Sequence, residues 1–427
     1  MTDPLVIRLS GVEIGELTPD ARLLWRENAD RIAPLNAKVL SHSLPFGVAG
    51  MDPSPFFGGL LPEGIGLERL ARESRVASND LYGLLAEVGA DVGGSVTIGE
   101  PRPAREPIVI QEQQYDRILA RAAGYIRGSS VGGGGSAATG VQPKIALTWD
   151  PGSARWLIGR GSTPSTHLLK PVPREHAERI RAEAYLNDVA TAIGLSAHET
   201  RIETAGEQTV LVVERYDRRR TASGIERIHQ EDAAQALGLP WGGNAKYESV
   251  DPRARLADIA RLLGGSAFAR TSDRDRLLAM AALNIVAGNT DAHAKNFSLL
   301  LPDLGATFRP SGPARLAEAY DIVPQVLFSS ERDPLALRVN GHQDSGAITA
   351  EDLIAEGRSW GIPQDRAADV VSSTLQNVRT AVESLGERHG APTSLPVFLL
   401  EQAENLLRGD RAWTRPLPPA IALSRSD

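Results

Sequence analysis

Asp291 and Asn296 stand five positions apart in Ala287-Gly-Asn-Thr-Asp-Ala-His-Ala-Lys-Asn-Phe-Ser298, an interval that suits phosphoryl transfer. In that chemistry an aspartate accepts the hydroxyl proton of the phosphate acceptor, and an asparagine oxygen holds magnesium on the nucleotide. A tight loop at this spacing turns both side chains into one cleft, although Asp-x4-Asn alone is a weak signal because both residues are common in loops. Asp321, in Tyr320-Asp-Ile-Val-Pro324, supplies a second oxygen if residues 297–301 and 314–319 form the two arms of a hairpin; otherwise it is a plain turn residue. Two protein oxygens completed by phosphates and water are what octahedral magnesium prefers. His293 can bond a phosphate, orient Asp291 or donate to a backbone carbonyl, and Lys295 lies beside it in a supporting place. A metallohydrolase reading would make Asp291 and His293 ligands of a transition metal, but no His-Glu-x-x-His accompanies them.

Phosphoryl transfer also needs groups that hold a nucleotide. Thr166-His-Leu-Leu-Lys-Pro reads as a short strand ending in Lys170, and Glu183 follows thirteen residues later in an expected helix over 175–192. A strand lysine paired with a helix glutamate is the arrangement that holds the α- and β-phosphates in kinases. Between Gly128 and Gly140 there are six glycines in thirteen residues. Such a stretch is either a flexible surface linker or a loop whose N–H groups approach phosphate oxygens. It is no Walker A motif, since Val141 follows Gly135-x4-Gly140 where a lysine is needed. The strand-like Ile145-Ala-Leu-Thr-Trp149 downstream favours a nucleotide lid. Val210-Leu-Val-Val-Glu-Arg-Tyr-Asp-Arg218 reads as a buried strand running into a turn, where backbone groups of Glu214 and Tyr216 can meet an adenine edge. An ordinary strand ending in an exposed charged turn fits the same residues.

Composition limits the alternatives. A chain of 427 residues, 42% of them hydrophobic, has room for two or three domains with proper cores. With no cysteine there is no disulfide framework, zinc-thiolate site or thiol nucleophile. The formal net charge of −7 argues against a protein whose principal task is gripping phosphate backbones. Arg215 with Arg218 to Arg220 reads as a solvated turn or, less simply, as a local basic patch. The Met-Thr-Asp-Pro start lacks a basic region followed by an apolar stretch, and the longest apolar run, Leu277 to Ala287, is interrupted by Asn284 and too short to span a bilayer. A cytoplasmic protein is expected.

Stepping along the chain, Leu5-Val-Ile-Arg-Leu9 and Val12-Glu-Ile-Gly-Glu-Leu17 alternate as strands across a Ser-Gly turn and read as an edge hairpin. Helices are expected near 65–75 and 79–87. Pro101-Arg-Pro-Ala-Arg-Glu-Pro107 reads as a linker. Strand and helix signals then alternate to about residue 218, and amphipathic helices over 273–287, 350–359, 365–387 and 394–407 follow. Ser272 with Asp275 makes a weak capping box for the first of these. The expected fold class is α+β: a two-lobed protein-kinase-like fold, mixed in its N-lobe (106–217) and mainly helical in its C-lobe (218–427), preceded by an N-terminal α/β subdomain (1–105).

Taken in order, eight blocks resemble the HipA family, bacterial serine/threonine kinases that act as toxins of toxin-antitoxin pairs. They are Phe57-Gly-Gly-Leu-Leu-Pro-Glu-Gly64, Gly140-Val-Gln-Pro-Lys144, Leu169-Lys-Pro171, Val213-Glu-Arg-Tyr-Asp-Arg218, Ile228-His-Gln-Glu-Asp232, Lys246-Tyr-Glu248, Gly288 to Ser298 and Tyr320 to Pro324. The resemblance implies that Asp291 is the catalytic aspartate, that Asn296 and Asp321 are magnesium ligands, and that Lys170 binds ATP. It further implies an adenine hinge at Glu214 and Tyr216, and a phosphate loop from Gly135 through Ser136, Ala137, Ala138, Thr139 and Gly140 to Lys144. Members of the family autophosphorylate a serine in that loop. Here the usual position reads Ala137, so Ser136 is the substitute expected. Also implied are a HipB-like helix-turn-helix antitoxin as partner, with DNA reached only through it, and a protein substrate such as an aminoacyl-tRNA synthetase. A small-molecule kinase and a catalytically silent co-repressor subunit are the competing readings.

Overall fold

The computed structural model describes residues 3–19, 23–33, 39–100, 106–123, 144–159, 163–264, 271–301, 314–329 and 333–413. Two compact units emerge: Met1–Val172 with Glu203–Gly243 and Leu299–Gly312, and Pro173–Ile202 with Asn244–Ser298 and Pro313–Asp427.

The first unit begins with a four-stranded sheet in the order Leu23–Glu27, Val12–Pro19, Leu5–Leu9, Val96–Ile98. Ser10 and Gly11 both adopt positive φ, 49° and 82°, the conformation that two-residue hairpin turns require to match strand twist. The expected edge position of the hairpin is corrected: Val12–Pro19 is flanked by Leu23–Glu27, and Leu5–Leu9 is interior as well. Val96–Ile98 returns to pair with its other side, Ile7 opposite Ile98 and Leu9 opposite Val96, and that distant partner leaves no local mark. Ile7, Leu9, Ile14 and Leu17 pack with Phe56, Phe57, Leu84 and Leu85 in the core beneath. The helices Ile65–Ser74 and Leu81–Val88 fall close to their expected places; the second is capped by Asp80, whose Oδ1 accepts from the Gly83 N–H at 2.9 Å.

A six-stranded sheet follows, ordered Thr200–Ala205, Gln208–Glu214, His167–Pro173, Ile145–Asp150, Arg155–Ile158, Ile108–Val109. Helix Glu112–Ala122 contributes Leu119 to its core, which includes Leu147, Trp156, Leu169, Val210 and Val212. The basic run beside this sheet departs from both of its sequence readings. Arg215 and Arg218 are buried. Arg215 Nε and Nη2 donate to Asp217 Oδ1 and Oδ2 at 2.9 and 2.8 Å, and Arg218 donates to Asp217 Oδ2 at 2.9 Å and to Asp91 Oδ1 at 3.1 Å. Ser165 Oγ and the Val92 and Gly94 carbonyls take further N–H groups. Desolvation on this scale is tolerated only when every charge is met, and here two carboxylates meet the guanidinium groups. Arg219 and Arg220, in the strand Arg218–Thr221, do face solvent.

In the second unit, Leu256–Gly264, Ala350–Ser359, Gln364–Leu385 and Ser394–Leu407 all pack on helix Thr271–Ala287. Surrounded in this way, its Leu277, Leu278, Leu283 and Val286 are buried on every face, which explains the long apolar run that only Asn284 interrupts. Gly357 permits close approach, since a Cβ there would lie 2.6 Å from Leu278 Cδ2. Helix Ala350–Ser359 carries a capping box, with Thr349 Oγ1 accepting from the Asp352 N–H at 3.2 Å and Asp352 Oδ2 from the Thr349 N–H at 2.9 Å. The weaker box expected at Ser272 rests on a side chain outside the described residues. The helix starts at Thr271, and Asp275 Oδ2 accepts from Arg366 Nε and Nη2 at 3.1 and 2.9 Å. Among the described residues, no helix is long and apolar enough to cross a membrane.

Candidate active site

Helix Thr271–Ala287 stops where Gly288 turns to φ 64°. A side chain there would be strained and would strike Val326 Cγ2 at 2.3 Å, so the chain is turned sharply at a packed corner. Asn289 completes the corner: its N–H donates to Asn284 O at 2.9 Å and its Nδ2 to Asn284 Oδ1 at 2.7 Å. The next residues form a hydrogen-bonded loop. The His293 N–H donates to Asp291 O at 2.8 Å and to Asn296 Oδ1 at 3.1 Å, closing the 3-10 turn Ala294–Asn296. Asn296 Nδ2 in turn donates to Asp321 Oδ2 at 3.3 Å.

Asp321 holds φ 57°, a left-handed conformation that costs a non-glycine residue about 1 kcal/mol or more. Bonds on its N-terminal side tie the preceding residues to the segment that carries Asn296. The Ala317 N–H donates to Ser298 O at 2.8 Å, as an expected hairpin would have it, and Tyr320 Oη donates to Lys295 O at 2.7 Å.

Asp291 is half-buried, and its Oδ1 accepts from Tyr247 Oη at 2.9 Å. Burial pushes the carboxyl above the usual carboxylate range; the Tyr247 bond and the charge of Lys246 oppose this, the charge of Asp321 adds to it, and Arg179 opposes it. His293 is buried with its ring edge-to-face against Tyr247, centroids 5.4 Å apart. Lys295 is half-buried. Tyr247 is the residue that reading by spacing missed: Lys246-Tyr-Glu248 was visible only as a block of the resemblance, with no role attached.

The second unit therefore gathers Asp291, His293, Asn296 and Asp321, and holds Glu183, buried in helix Glu178–Ala192. The first unit holds Lys144, Lys170, Glu214 and Tyr216. Lys170 is buried within strand His167–Pro173, which continues three residues past the end expected for it. Lys144 is half-buried just before strand Ile145–Asp150. Glu214 ends strand Gln208–Glu214, the Arg215 N–H donates to Thr166 O at 2.9 Å, and Tyr216 Oη donates to Gln230 Oε1 at 2.9 Å. Gly135, Ser136, Ala137, Ala138, Thr139 and Gly140 lie outside the described residues.

The donors around Asn296 suit a hard cation: an amide oxygen and a carboxylate from two bonded segments. Among the described residues no three His, Cys, Asp or Glu side chains gather as metal ligands; an ion held by these two oxygens would need further ligands from phosphates or water.

Residues 5–99 match the model of the HipA N-terminal domain, and residues 136–382 that of the HipA-like C-terminal domain. A protein of Sinorhizobium fredii described as putative kinase Y4mE is 30% identical over 377 residues, 85% of this chain and 86% of the relative. The serine/threonine-protein kinase toxin HipA of Shewanella oneidensis is 26% identical over 404 residues, 88% of each chain. A solved structure of Shewanella oneidensis HipA with HipB and operator DNA superposes with a TM-score of 0.79 at 22% identity, covering 95% of this chain and 97% of that one. The expected α+β, kinase-like fold is thus the fold found, and with more than half of its length matched by one family model, this chain belongs to the HipA family.

Proposed function

We propose that this protein is an ATP- and magnesium-dependent serine/threonine protein kinase acting as the toxin of a toxin-antitoxin pair in the cytoplasm. One observation carries the reading: a half-buried Asp291, with one oxygen bonded to Tyr247 and its carboxyl pushed up by burial, five residues before an asparagine bonded to Asp321. Such a carboxylate is suited to take the proton of an acceptor hydroxyl as that oxygen bonds to the γ-phosphorus of ATP and the bond to the β–γ bridging oxygen breaks, releasing ADP. Asn296 and Asp321 would hold magnesium, which when bound neutralises charge on the transferring phosphoryl group. Lys170 would bind the α- and β-phosphates with Glu183 in support, Glu214 and Tyr216 the adenine, and Gly135 to Gly140 with Lys144 the phosphates. His293 and Lys295 would support the loop.

Residues 1–105 would form the subdomain that contacts a helix-turn-helix antitoxin of the HipB type, with 106–217 and 218–427 as the kinase lobes. The relative solved with HipB and operator DNA supports that partner. Contact with DNA would be indirect, in keeping with the net charge of −7. The acceptor would be a protein of translation such as an aminoacyl-tRNA synthetase, with Ser136 the autophosphorylation site. Incubation of the purified protein with γ-labelled ATP, magnesium and bacterial extract tests this reading. Labelled protein bands, a phosphopeptide containing Ser136 and loss of both in Asp291→Ala are expected. Equal labelling by the parent and Asp291→Ala would overturn the assignment.

A further inference from the structure

The segment Lys246-Tyr-Glu248 is tied to the loop around Asp291 at both ends. The Ala294 N–H donates to Lys246 O at 3.1 Å; the Glu248 N–H donates to Ala336 O at 3.0 Å, and the Ala336 N–H donates to Thr290 O at 2.8 Å. Glu248 Oε2 also accepts from the Arg338 N–H at 2.7 Å. The backbone of Tyr247 is equally constrained, its N–H donating to Asn244 O and its carbonyl accepting from the Val250 and Asp251 N–H groups, all at 3.0 Å. The ring packs at right angles to that of His293, and Lys246 Nζ lies 5.5 Å from its centroid. From this base Tyr247 Oη reaches Asp291 Oδ1 at 2.9 Å, whereas among the described residues no donor bonds Oδ2.

An aspartate carboxyl turns broadly about its last torsion, and a bond to one oxygen selects an orientation for the other. Resting on the assignment of Asp291 as the base, we infer that Tyr247 is a positioning residue, whose hydroxyl holds Oδ1 so that Oδ2 is presented to the acceptor hydroxyl. Lys246 and Glu248 anchor the segment from which it does so. The segment thus makes one rigid piece with the loop it supports.

Tyr247→Phe keeps the ring and removes only the hydroxyl. Because misorientation acts on the chemical step rather than on nucleotide binding, the variant should lose about tenfold in apparent kcat for labelled phosphate transfer to extract protein, with KM for ATP changed less than about twofold. Denaturant unfolding of Tyr247→Phe, Asp291→Ala and the double variant supplies a readout independent of turnover. A double variant that loses less than the sum of the singles supports the bond. Parental kcat in Tyr247→Phe, a rise in KM without loss of kcat, or additive losses in the cycle would each overturn the inference. If the unsubstituted protein transfers no phosphate, the kinase reading fails instead, and the cycle still decides whether Tyr247 holds Asp291.

Discussion

Asp217 in the first unit and Asp291 in the second are the same residue type, and in both burial pushes the carboxyl upward. What surrounds them then divides them. Asp217 meets Arg215 and Arg218, and these, with their hydrogen bonds and the Gly94 N–H, outweigh desolvation and hold it far below the usual range. Asp91, against desolvation, is likewise held at about 2 by Arg215, Arg218 and Arg227. Asp291 has a tyrosine hydroxyl and two less intimate cations, with another carboxylate nearby, and stays raised. A carboxylate locked to guanidinium groups serves the fold, because those charges oppose its taking up a proton. One left partly uncompensated is the more basic of the two, and this is the physical mark of a candidate base.

The largest effect expected of this contrast lies in catalysis. Asp291→Ala should cut phosphate transfer on the order of a thousandfold while leaving the melting temperature close to that of the parent. A calorimetric scan beside the transfer assay checks both halves, and parental turnover would erase the distinction between the two sites.

Asp217→Ala should do the reverse. Leaving Arg215 and Arg218 buried without their partner costs about 3–5 kcal/mol of stability, measurable from the urea midpoint. A variant as stable as the parent would mean that the network is no structural anchor.

The pH dependence sharpens the comparison. Asp91 is depressed to about 2 in the folded protein, against an ordinary value of about 3.9 for a free aspartate. The stability it contributes is therefore complete above about pH 4 and is lost as pH falls through about 2. Asp291 is raised, so transfer should fail on acidification at a pH above the ordinary aspartate range, before that loss of stability begins. Parallel circular dichroism and rate titrations should show activity fading first, and coincident midpoints would contradict the contrast.

The smallest effect is expected at Arg219, which is exposed and paired with Glu226 at 2.6 Å. Arg219→Ala should change stability by less than about 0.5 kcal/mol, although its neighbour Arg218 lies in the buried network. A loss comparable to that of Asp217→Ala would extend the network outward.

How much was legible depended on distance along the chain. Helices 350–359 and 394–407 were placed to the residue by apolar period, a local signal. The Asp291 and Asn296 interval was equally readable, because the His293 N–H bonds both Asp291 O and Asn296 Oδ1 and the 3-10 turn Ala294–Asn296 closes the loop within a few residues. Arg218 was misjudged since its partner Asp91 stands 127 positions away, and charge in a sequence looks solvated until a counter-charge is found. The interior position of Leu5–Leu9 was hidden for the same reason, its second neighbour being Val96–Ile98. Tyr247 carries no spacing signal, because its hydroxyl acts on a residue 44 positions on.

Residue types and short intervals by themselves carried the helix periods and the loop that holds Asp291, because periodicity and tight turns are written within a few residues, while eight ordered blocks carried the resemblance to the family. Tertiary packing decided which charges are compensated: it set Asp217 between two guanidinium groups and left Asp291 with a single tyrosine bond. Electrostatic energy depends on separation in space and on the surrounding medium, and neither quantity exists until the chain has folded.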